Sequence, residues 1–189
     1  MLINKNVYFV HVPRTGGRYI TNLFKINEHE VSLDAFNTKW KNKEIGHLTY
    51  PDYEVYLNFL KCTKFAVIRD PITRFLSAIN SDVKLNKDTI DTMLSSQENL
   101  NLYLNNLIFN DDDNWYTPQI NFLNYDVKIY KYENGLGAKF VEWINNNFNL
   151  KLETFDARSF SEVFEINLTN KQKQYVENYY YKDFRLLNY

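Results

Sequence analysis

Residues 7 to 26 read VYFVHVPRTGGRYITNLFKI: a β-branched and aromatic run, then a pair of glycines, then an amphipathic segment. Short apolar runs bounded by breakers are typical of buried strands, and the apolar spacing after the glycines is typical of a helix. A glycine pair between a strand and a helix lets successive backbone N–H groups converge beside the positive end of the helix dipole. The pattern therefore predicts a turn that can cradle a phosphate-like anion.

Two arginines, Arg14 and Arg18, flank the glycine pair with positive charge. A guanidinium can donate two parallel hydrogen bonds to a phosphate-type group, and each charge-assisted contact contributes about 1.5–3 kcal/mol. The same residues also fit a plain turn between two core elements with exposed arginines. The G-x-x-x-x-G-K-[ST] spacing of a Walker loop is absent, and no Ser or Thr follows the glycines where a magnesium ligand would be needed.

Strand-like and helix-like segments alternate along the chain. Strands are predicted at 7–12, 64–69 and 126–132, and helices at 17–26, 70–80, 137–148 and 169–184. The stretch from about 83 to 123 looks helical but irregular. This alternation indicates an α/β fold with a compact parallel sheet flanked by helices, and 189 residues fit a single domain, residues 1–189.

Composition and charge argue against several functional classes. The net charge is −1, so no overall basic field favours binding to nucleic acid or to a membrane surface. The single Cys62 excludes an internal disulfide, and a small buried hydrophobe is favoured over a nucleophile. The three histidines lack ligand spacing, so no metal site is predicted. With no signal peptide and no apolar stretch of membrane-spanning length, we expect a cytoplasmic location.

A second segment, FAVIRDPITRFLSAIN at 65–80, adds a further candidate anion site. Arg69 ends the predicted strand, and Ser77 lies on the helix that follows, one turn after Arg74. Because the carboxyl ends of parallel strands meet at one edge of the sheet, Arg69 should lie near the Gly-Gly turn, where open α/β sheets bind ligands. Two anion sites on one edge suit a ligand with two separated phosphate-type groups. Taken singly, Arg69 also fits a salt bridge to Asp70, and Ser77 an ordinary helix serine.

Together the two segments resemble the sulfotransferase family that uses 3′-phosphoadenosine 5′-phosphosulfate (PAPS). HVPRTGG resembles its 5′-phosphosulfate loop, H-[IV]-P-K-T-G-G, and RDPITRFLSA resembles its 3′-phosphate segment, R-D-P-x-x-R-x-x-S. The resemblance continues in WYTPQINFL, KIYKYEN and the closing LTNKQKQYVENYYYKDFRLLNY, and is nearest to the carbohydrate 2-O-sulfotransferase-like branch. It implies the P-loop-NTPase-like α/β fold of these enzymes, with PAPS as donor, 3′,5′-ADP as product and no metal.

The resemblance also implies roles for particular residues. The family pattern assigns the 5′-phosphosulfate to Arg14, Thr15, Gly16 and Gly17, with Arg18 beside them, and the 3′-phosphate to Arg69 and Ser77. Arg14 stands where the family has a lysine. Because the pKa of an arginine lies above about 12, we expect Arg14 to stabilise the leaving phosphate electrostatically and not to donate a proton. Arg18 and Tyr19 replace the small hydroxyl residues that usually follow the glycines, which leaves the source of that hydroxyl contact open.

Sulfuryl transfer needs a base that takes the proton of the acceptor hydroxyl. His47, in EIGHLTY, resembles the histidine that lies between the two donor motifs in the 2-O branch, and the near-neutral pKa of histidines suits the task. A surface or capping position is the alternative for His47. Glu44 is the reserve base, His11 is expected to be structural, and Glu133 is expected to support the loop geometry.

Three lysines, Lys39, Lys41 and Lys43, surround Trp40 just ahead of His47. An aromatic platform ringed by cations would suit an anionic sugar as acceptor. Alternate lysines in a loop also serve simply as solubilising charges.

Two other functions stay open at this point. A nucleotide kinase or related phosphotransferase on the same type of sheet would need Mg²⁺ and a Walker loop. A degenerate relative would hold the nucleotide without turnover, which the change from Lys to Arg14 and the missing hydroxyls allow. The sequence favours a metal-independent PAPS sulfotransferase (EC 2.8.2 type) that acts on a hydroxyl-bearing acceptor.

Overall fold

The computed structural model describes residues 1–32, 39–58, 60–82, 85–110, 114–155 and 166–189. Its strands are β1 (Leu2–Ile3), β2 (Val7–Val10), β3 (Val31–Ser32), β4 (Lys39–Trp40), β5 (Lys43–Glu44), β6 (Thr63–Ile68) and β7 (Val127–Lys131). Its α-helices are α1 (Gly17–Ile26), α2 (Asp52–Tyr56), α3 (Pro71–Ile79), α4 (Lys87–Met93), α5 (Gln97–Asn110), α6 (Ala138–Phe148), α7 (Asn170–Tyr179) and α8 (Tyr181–Leu187). Short 3₁₀ turns cover Ile45–His47, Gln119–Phe122 and Tyr132–Asn134. Within these residues, no helix has the length and apolar character needed to cross a membrane.

The central sheet has five strands in the order β3-β1-β2-β6-β7. Strands β2, β6 and β7 run parallel, with Val10 opposite Ala66 and Ile68 opposite Lys131. Strand β1 pairs antiparallel with both β2 and β3. The predicted α/β fold is confirmed, and the three predicted strands are parallel, but the sheet as a whole is mixed. Strands of two residues are too short to show alternation, so no sequence pattern indicated β1 and β3.

The sheet separates two apolar layers because alternate strand residues point to opposite faces. Phe9 and Phe65 pack with α1 and α6 on one face, whereas Val10 and Ile68 pack with α2 and α8 on the other. A third cluster, around Phe75, joins α3 to α4, α5 and α7. Because β2 and β6 are parallel neighbours, the turn after β2 and the loop after β6 lie at the same end of the sheet.

The helix predictions are confirmed for α1, α3 and α6. The Asp70 carboxylate caps α3 by accepting a 2.8 Å hydrogen bond from a backbone N–H three residues later. The segment predicted as one helix at 169–184 instead forms two, α7 and α8, which meet at Tyr180. The buried Tyr180 hydroxyl donates to the carbonyl of Tyr116 (2.8 Å). Helical periodicity does not report such a tertiary contact, so the break at Tyr180 could not be predicted from the sequence pattern.

The irregular stretch predicted from 83 to 123 is largely helical where it is described. It contains α4, α5 and one of the 3₁₀ turns. Residues 83–84 and 111–113 lie outside the described residues, so the prediction is not tested there.

Candidate active site

The turn between β2 and α1 has the backbone shape that the glycine pair predicts. Arg14 and Gly16 both lie in the left-handed region, with φ of 69° and 92°. The Thr15 hydroxyl donates to the Val12 carbonyl (2.8 Å) and closes the turn from inside. Gly16 supplies no side-chain cap to α1, and the first turn of α1 carries no acidic residue. The N-terminal N–H groups of α1 and its positive dipole end therefore suit an anion.

Close packing explains both glycines. A Cβ at Gly17 would lie 1.8 Å from Nε2 of His11, and a Cβ at Gly16 would lie 2.3 Å from Cδ1 of Leu136. The positive φ of Gly16 is a second reason, since side chains other than glycine are strained there. Burial lowers the pKa of the His11 imidazole well below its usual range, and neighbouring His47 adds to the shift. A neutral, buried His11 agrees with the structural role expected for it.

Arg69 follows β6 at the same edge as the Gly-Gly turn, which confirms the predicted juxtaposition. Its guanidinium donates to the Arg14 carbonyl (3.3 Å) and the Thr73 hydroxyl (3.2 Å), and lies 4.7 Å from the centre of the Tyr132 ring. The side-chain amide of Gln119 bonds both the backbone N–H and the carbonyl of Arg69 (2.9 and 2.7 Å). The hydrogen-bond partners of the Arg69 guanidinium are neutral, and among the described residues no carboxylate forms an ion pair with it.

Arg14 reaches from the turn across to α3. Its guanidinium donates to the Ser77 hydroxyl (3.1 and 3.2 Å) and to the Ser81 hydroxyl, and lies 5.2 Å from the centre of the Trp115 ring. All three partners are neutral. Burial, with repulsion from two neighbouring arginines, lowers the pKa of Arg14 from its ordinary value. A bound anion would relieve that repulsion. Through Arg14, the two predicted phosphate segments contact each other directly.

Two further arginines differ sharply in exposure. Arg18, on the first turn of α1, is exposed. Arg74 is 1% exposed and donates to the backbone carbonyls of Pro13 (3.4 Å), Trp115 (3.0 Å) and Thr117 (2.6 Å). These buried hydrogen bonds connect α3 to the turn after β2 and to the loop around Trp115. Arg74 therefore helps to hold those two segments in place.

His47 and Glu44, the two candidate bases, lie side by side. Nδ1 of His47 is 3.0 Å from Oε2 of Glu44, and the two side chains are 7% and 9% exposed. The His47 ring lies edge to face on His11, with ring centres 4.5 Å apart, and its backbone carbonyl accepts from the Asn114 side chain (2.9 Å). Because His11 also packs on Gly17, His47 is one ring away from the start of α1. Its burial excludes the surface position considered as an alternative.

The lysine-rich segment around Trp40 forms the hairpin β4–β5. Lys41 lies 4.3 Å from the centre of the Trp40 ring, and Lys43 forms an ion pair with Asp52. The Trp40 ring packs edge to face on Tyr56, with ring centres 5.6 Å apart. The hairpin is thus a folded unit in which Lys41 contacts the Trp40 ring and Lys43 pairs with a carboxylate.

Glu133 supports the site edge, as the sequence led us to expect. Its carboxylate accepts from the Asp70 backbone N–H (2.6 Å) and from the Tyr189 hydroxyl (2.9 Å). These contacts join the start of α3 to the C-terminal residue of the chain.

Sequence reasoning missed three residues of this edge: Ser81, Gln119 and Asp183. The Asp183 carboxylate accepts from the backbone N–H groups of Gln119 and Ile120 (2.8 and 2.9 Å) and so holds the turn that bonds Arg69. Those contacts join distant parts of the chain, so no local pattern could reveal them. Ser81 had a local signal, because it follows the predicted serine by four residues, the spacing of one helical turn.

A comparison with protein families matched residues 3–111 to the model of the sulfotransferase family. The matched segment, 109 of 189 residues counted from 3 to 111, covers more than half of the chain and includes both motif segments. No curated protein and no solved structure matched the chain.

Proposed function

The chain belongs to the sulfotransferase family, and from that premise we propose that it transfers a sulfuryl group from PAPS to a hydroxyl group of a carbohydrate. Sulfuryl transfer to an acceptor follows from the family; the donor, the kind of acceptor and the residue roles are the proposal. One observation carries it. Arg14 and Arg69 lie together at the carboxyl ends of the parallel strands, and their partners among the described residues are all neutral. A bound anion would supply the counter-charge.

The edge of the sheet at the carboxyl ends of the parallel strands suits a donor with two separated phosphate-type groups. The 5′-phosphosulfate is assigned to the start of α1 and its turn, through Arg14, Thr15, Gly16, Gly17 and Arg18. The 3′-phosphate is assigned to Arg69 and Ser77. The hydrogen bonds between Arg14 and Ser77 support one continuous site for both groups.

In the proposed reaction, His47 takes the proton of the acceptor hydroxyl while the hydroxyl oxygen bonds to sulfur. The bond between sulfur and the bridging phosphate oxygen breaks, and 3′,5′-ADP leaves with the bonding electrons. Arg14 and the dipole of α1 stabilise the charge on that phosphate, because an arginine stays charged throughout. A positioned base contributes about 10²–10⁴-fold to the rate.

The acceptor is assigned by resemblance to the carbohydrate 2-O-sulfotransferase-like branch. The exposed Lys39 and Lys41 of the β4–β5 hairpin suit an anionic sugar. We also propose a P-loop-NTPase-like fold in which residues 1–189 form a single domain. The hydrogen bonds that Asp183 accepts from the Gln119 backbone N–H and that Tyr189 donates to Glu133 support this. A metal-independent reaction in the cytoplasm belongs to the same proposal.

The first test is thermal stabilisation of the purified protein by 3′,5′-ADP, compared with ATP and magnesium. A ligand at about 100 times its Kd adds roughly 2.7 kcal/mol, which for a chain of this size raises Tm by about 5–10 °C. We expect that shift with 3′,5′-ADP, unchanged by a chelator. A shift with magnesium-ATP alone would instead support a nucleotide kinase, and no shift with either would leave the Gly-Gly segment as a plain turn.

A degenerate nucleotide binder is the second candidate, favoured by one observation. Arg14 replaces the usual lysine, and its guanidinium is engaged by two serine hydroxyls. Labelled PAPS with a panel of carbohydrate acceptors separates the two functions. Transfer of label supports the sulfotransferase, whereas binding of 3′,5′-ADP with PAPS never consumed on any acceptor supports the degenerate binder.

A further inference from the structure

The pair formed by Glu44 and His47 is the one buried acid–histidine contact beside the proposed site, among the residues that the structure describes. Oε2 of Glu44 is 3.0 Å from Nδ1 of His47, and both side chains are less than a tenth exposed. Glu44 ends β5 and His47 closes the 3₁₀ turn that follows it, so only Ile45 and Gly46 separate them. The geometry is set locally, by the register of strand and turn.

Oε2 of Glu44 lies within contact distance of Nδ1 but outside hydrogen-bond geometry. Because a carboxylate oxygen is repelled by a lone pair on an unprotonated Nδ1, the contact favours the neutral tautomer of His47 that carries its proton on Nδ1. Nε2 then carries the lone pair. We propose that Glu44 is a positioning residue: it holds His47 in the tautomer whose Nε2 takes the proton of the acceptor hydroxyl. The inference rests on the proposed function, in which His47 is the base, and it replaces the role of reserve base considered for Glu44.

The balance of the step explains what the carboxylate contributes. The acceptor proton moves to Nε2 of His47, so the ring becomes an imidazolium while the acceptor oxygen bonds to sulfur. Glu44 keeps its negative charge beside Nδ1 and stabilises that cation, as orienting carboxylates do for other histidines. No second proton transfer is needed.

His11 also contacts the His47 ring. Its own ring lies edge to face on His47 and contacts Gly17 at the start of α1. Among the described residues, the Glu44 carboxylate and the His11 imidazole contact the His47 ring, and Arg14 lies close enough to His11 to affect the pKa of His11. Burial lowers the pKa of His11 and favours its neutral form, whereas Glu44 brings a carboxylate into contact with the His47 ring.

The direct test is the tautomer of His47, measured by ¹H–¹⁵N NMR of the full chain labelled at histidine nitrogens. We expect wild-type His47 to carry its neutral-state proton on Nδ1. In Glu44→Gln both tautomers become populated, because an amide can either accept from Nδ1–H or donate to Nδ1. The resonances of His29, which lies outside this cluster, are the internal control. A tautomer that is the same in wild type and Glu44→Gln would overturn the proposal.

Kinetics separate positioning from mere structural support. We expect Glu44→Gln to lower kcat about 10–100-fold with KM for PAPS unchanged. In a His47→Ala background, the same Glu44→Gln change should alter kcat by less than about twofold, since its effect passes through the ring. Equal losses in both backgrounds would mean that Glu44 supports the fold or acts as a base itself.

The two proposals fail in different ways. If Glu44→Gln changes the tautomer but His47→Ala retains full turnover, the positioning contact stands and the assignment of His47 as base is wrong. If PAPS is never consumed, the NMR measurement still decides whether Glu44 sets the tautomer. A Glu44→Gln protein that unfolds is replaced by Glu44→Met, for which we expect the same tautomer mixture.

Discussion

The two ends of the parallel strands both carry cations, but among the described residues only the cation at the amino ends, Lys64, is paired with carboxylates. At the amino ends, the Lys64 side chain is 6% exposed, and its Nζ lies 3.1 Å from Glu54 and 2.8 Å from Asp126. Burial alone would lower the pKa of Lys64, but the hydrogen bonds with Asp126 and Glu54 outweigh it and raise the pKa. At the carboxyl ends, Arg14 and Arg69 have only hydroxyl, carbonyl and aromatic partners within the described ranges.

The contrast distinguishes a structural cation from a cation suited to a ligand. A cavity of about 820 Å³ opens beside Lys64, at the amino ends of the strands. The charges there are already paired, and a further anion would have to compete with two carboxylates. Among the described residues, the partly buried Arg14 and Arg69 have no carboxylate partner, so the charge balance favours the carboxyl ends for the proposed anion site.

Arg69→Ala should have the largest effect, because it removes a cation that a ligand would neutralise. We expect the Kd for 3′,5′-ADP, measured by titration calorimetry, to rise about 10²–10⁴-fold, since two charge-assisted contacts of roughly 1.5–3 kcal/mol each are lost. Arg185→Ala, at an exposed arginine of α8, is the matched control and should bind normally. His47→Ala should also spare binding while lowering kcat. Equal loss of binding in Arg69→Ala and His47→Ala would refute the division between binding and base.

Lys64→Met, at the amino ends of the strands, should have the opposite effect to Arg69→Ala: it should lower stability and leave ligand binding unchanged. Removing one partner of a buried ion pair leaves carboxylates without compensation, so we expect the free energy of unfolding to fall by about 3 kcal/mol in urea titrations. The Kd for 3′,5′-ADP should be unchanged in the folded protein. Lys61→Met, at an exposed lysine of the same edge, should cost less than about 0.5 kcal/mol. A Lys64→Met protein that is stable but has lost the ligand would break the comparison.

Gly17→Ala tests the close approach beneath the anion site. The new Cβ would meet the His11 ring, which is itself packed between Gly17 and His47, so we expect a loss of about 1–3 kcal/mol in stability. Gly137→Ala is the control, because a Cβ there meets nothing within 4 Å. If both variants unfold at the same urea concentration, the His11 contact does not restrict this turn.

The smallest effect is a pH dependence from His11. Its pKa is lowered in the folded protein, whereas in the unfolded chain it takes up a proton below about pH 6.5. The unfolded state then binds more protons, so stability falls as the pH drops below that value, by at most about 1.4 kcal/mol per pH unit from this group. Urea unfolding at about pH 7.5 and about pH 5.5 measures the change. His11→Gln should flatten it and His29→Gln should not; equal slopes in all three proteins would rule out His11 as the source.

Several features of the fold and site could be predicted because their signals are local. The strand, glycine pair and helix of residues 7–26 lie within one window, and so does the N-cap at Asp70. Parallel pairing then brings Arg69 to the Gly-Gly turn, since crossover connections return each strand to the same end of the sheet. His47 and Glu44 were each singled out, but their contact was not, because it depends on the β5 register and the 3₁₀ turn.

By itself, the sequence determined the α/β alternation, the three parallel strands and the cations at their carboxyl ends. Short-range periodicity and turn chemistry carry that information. Only the tertiary structure decided which cations are neutralised within the fold. Lys64 meets Asp126 across 62 residues, and Arg14 meets Ser77 across 63. Pairing of charges depends on distances in space, and a side chain's partners at such separations are set by packing and not by spacing along the chain.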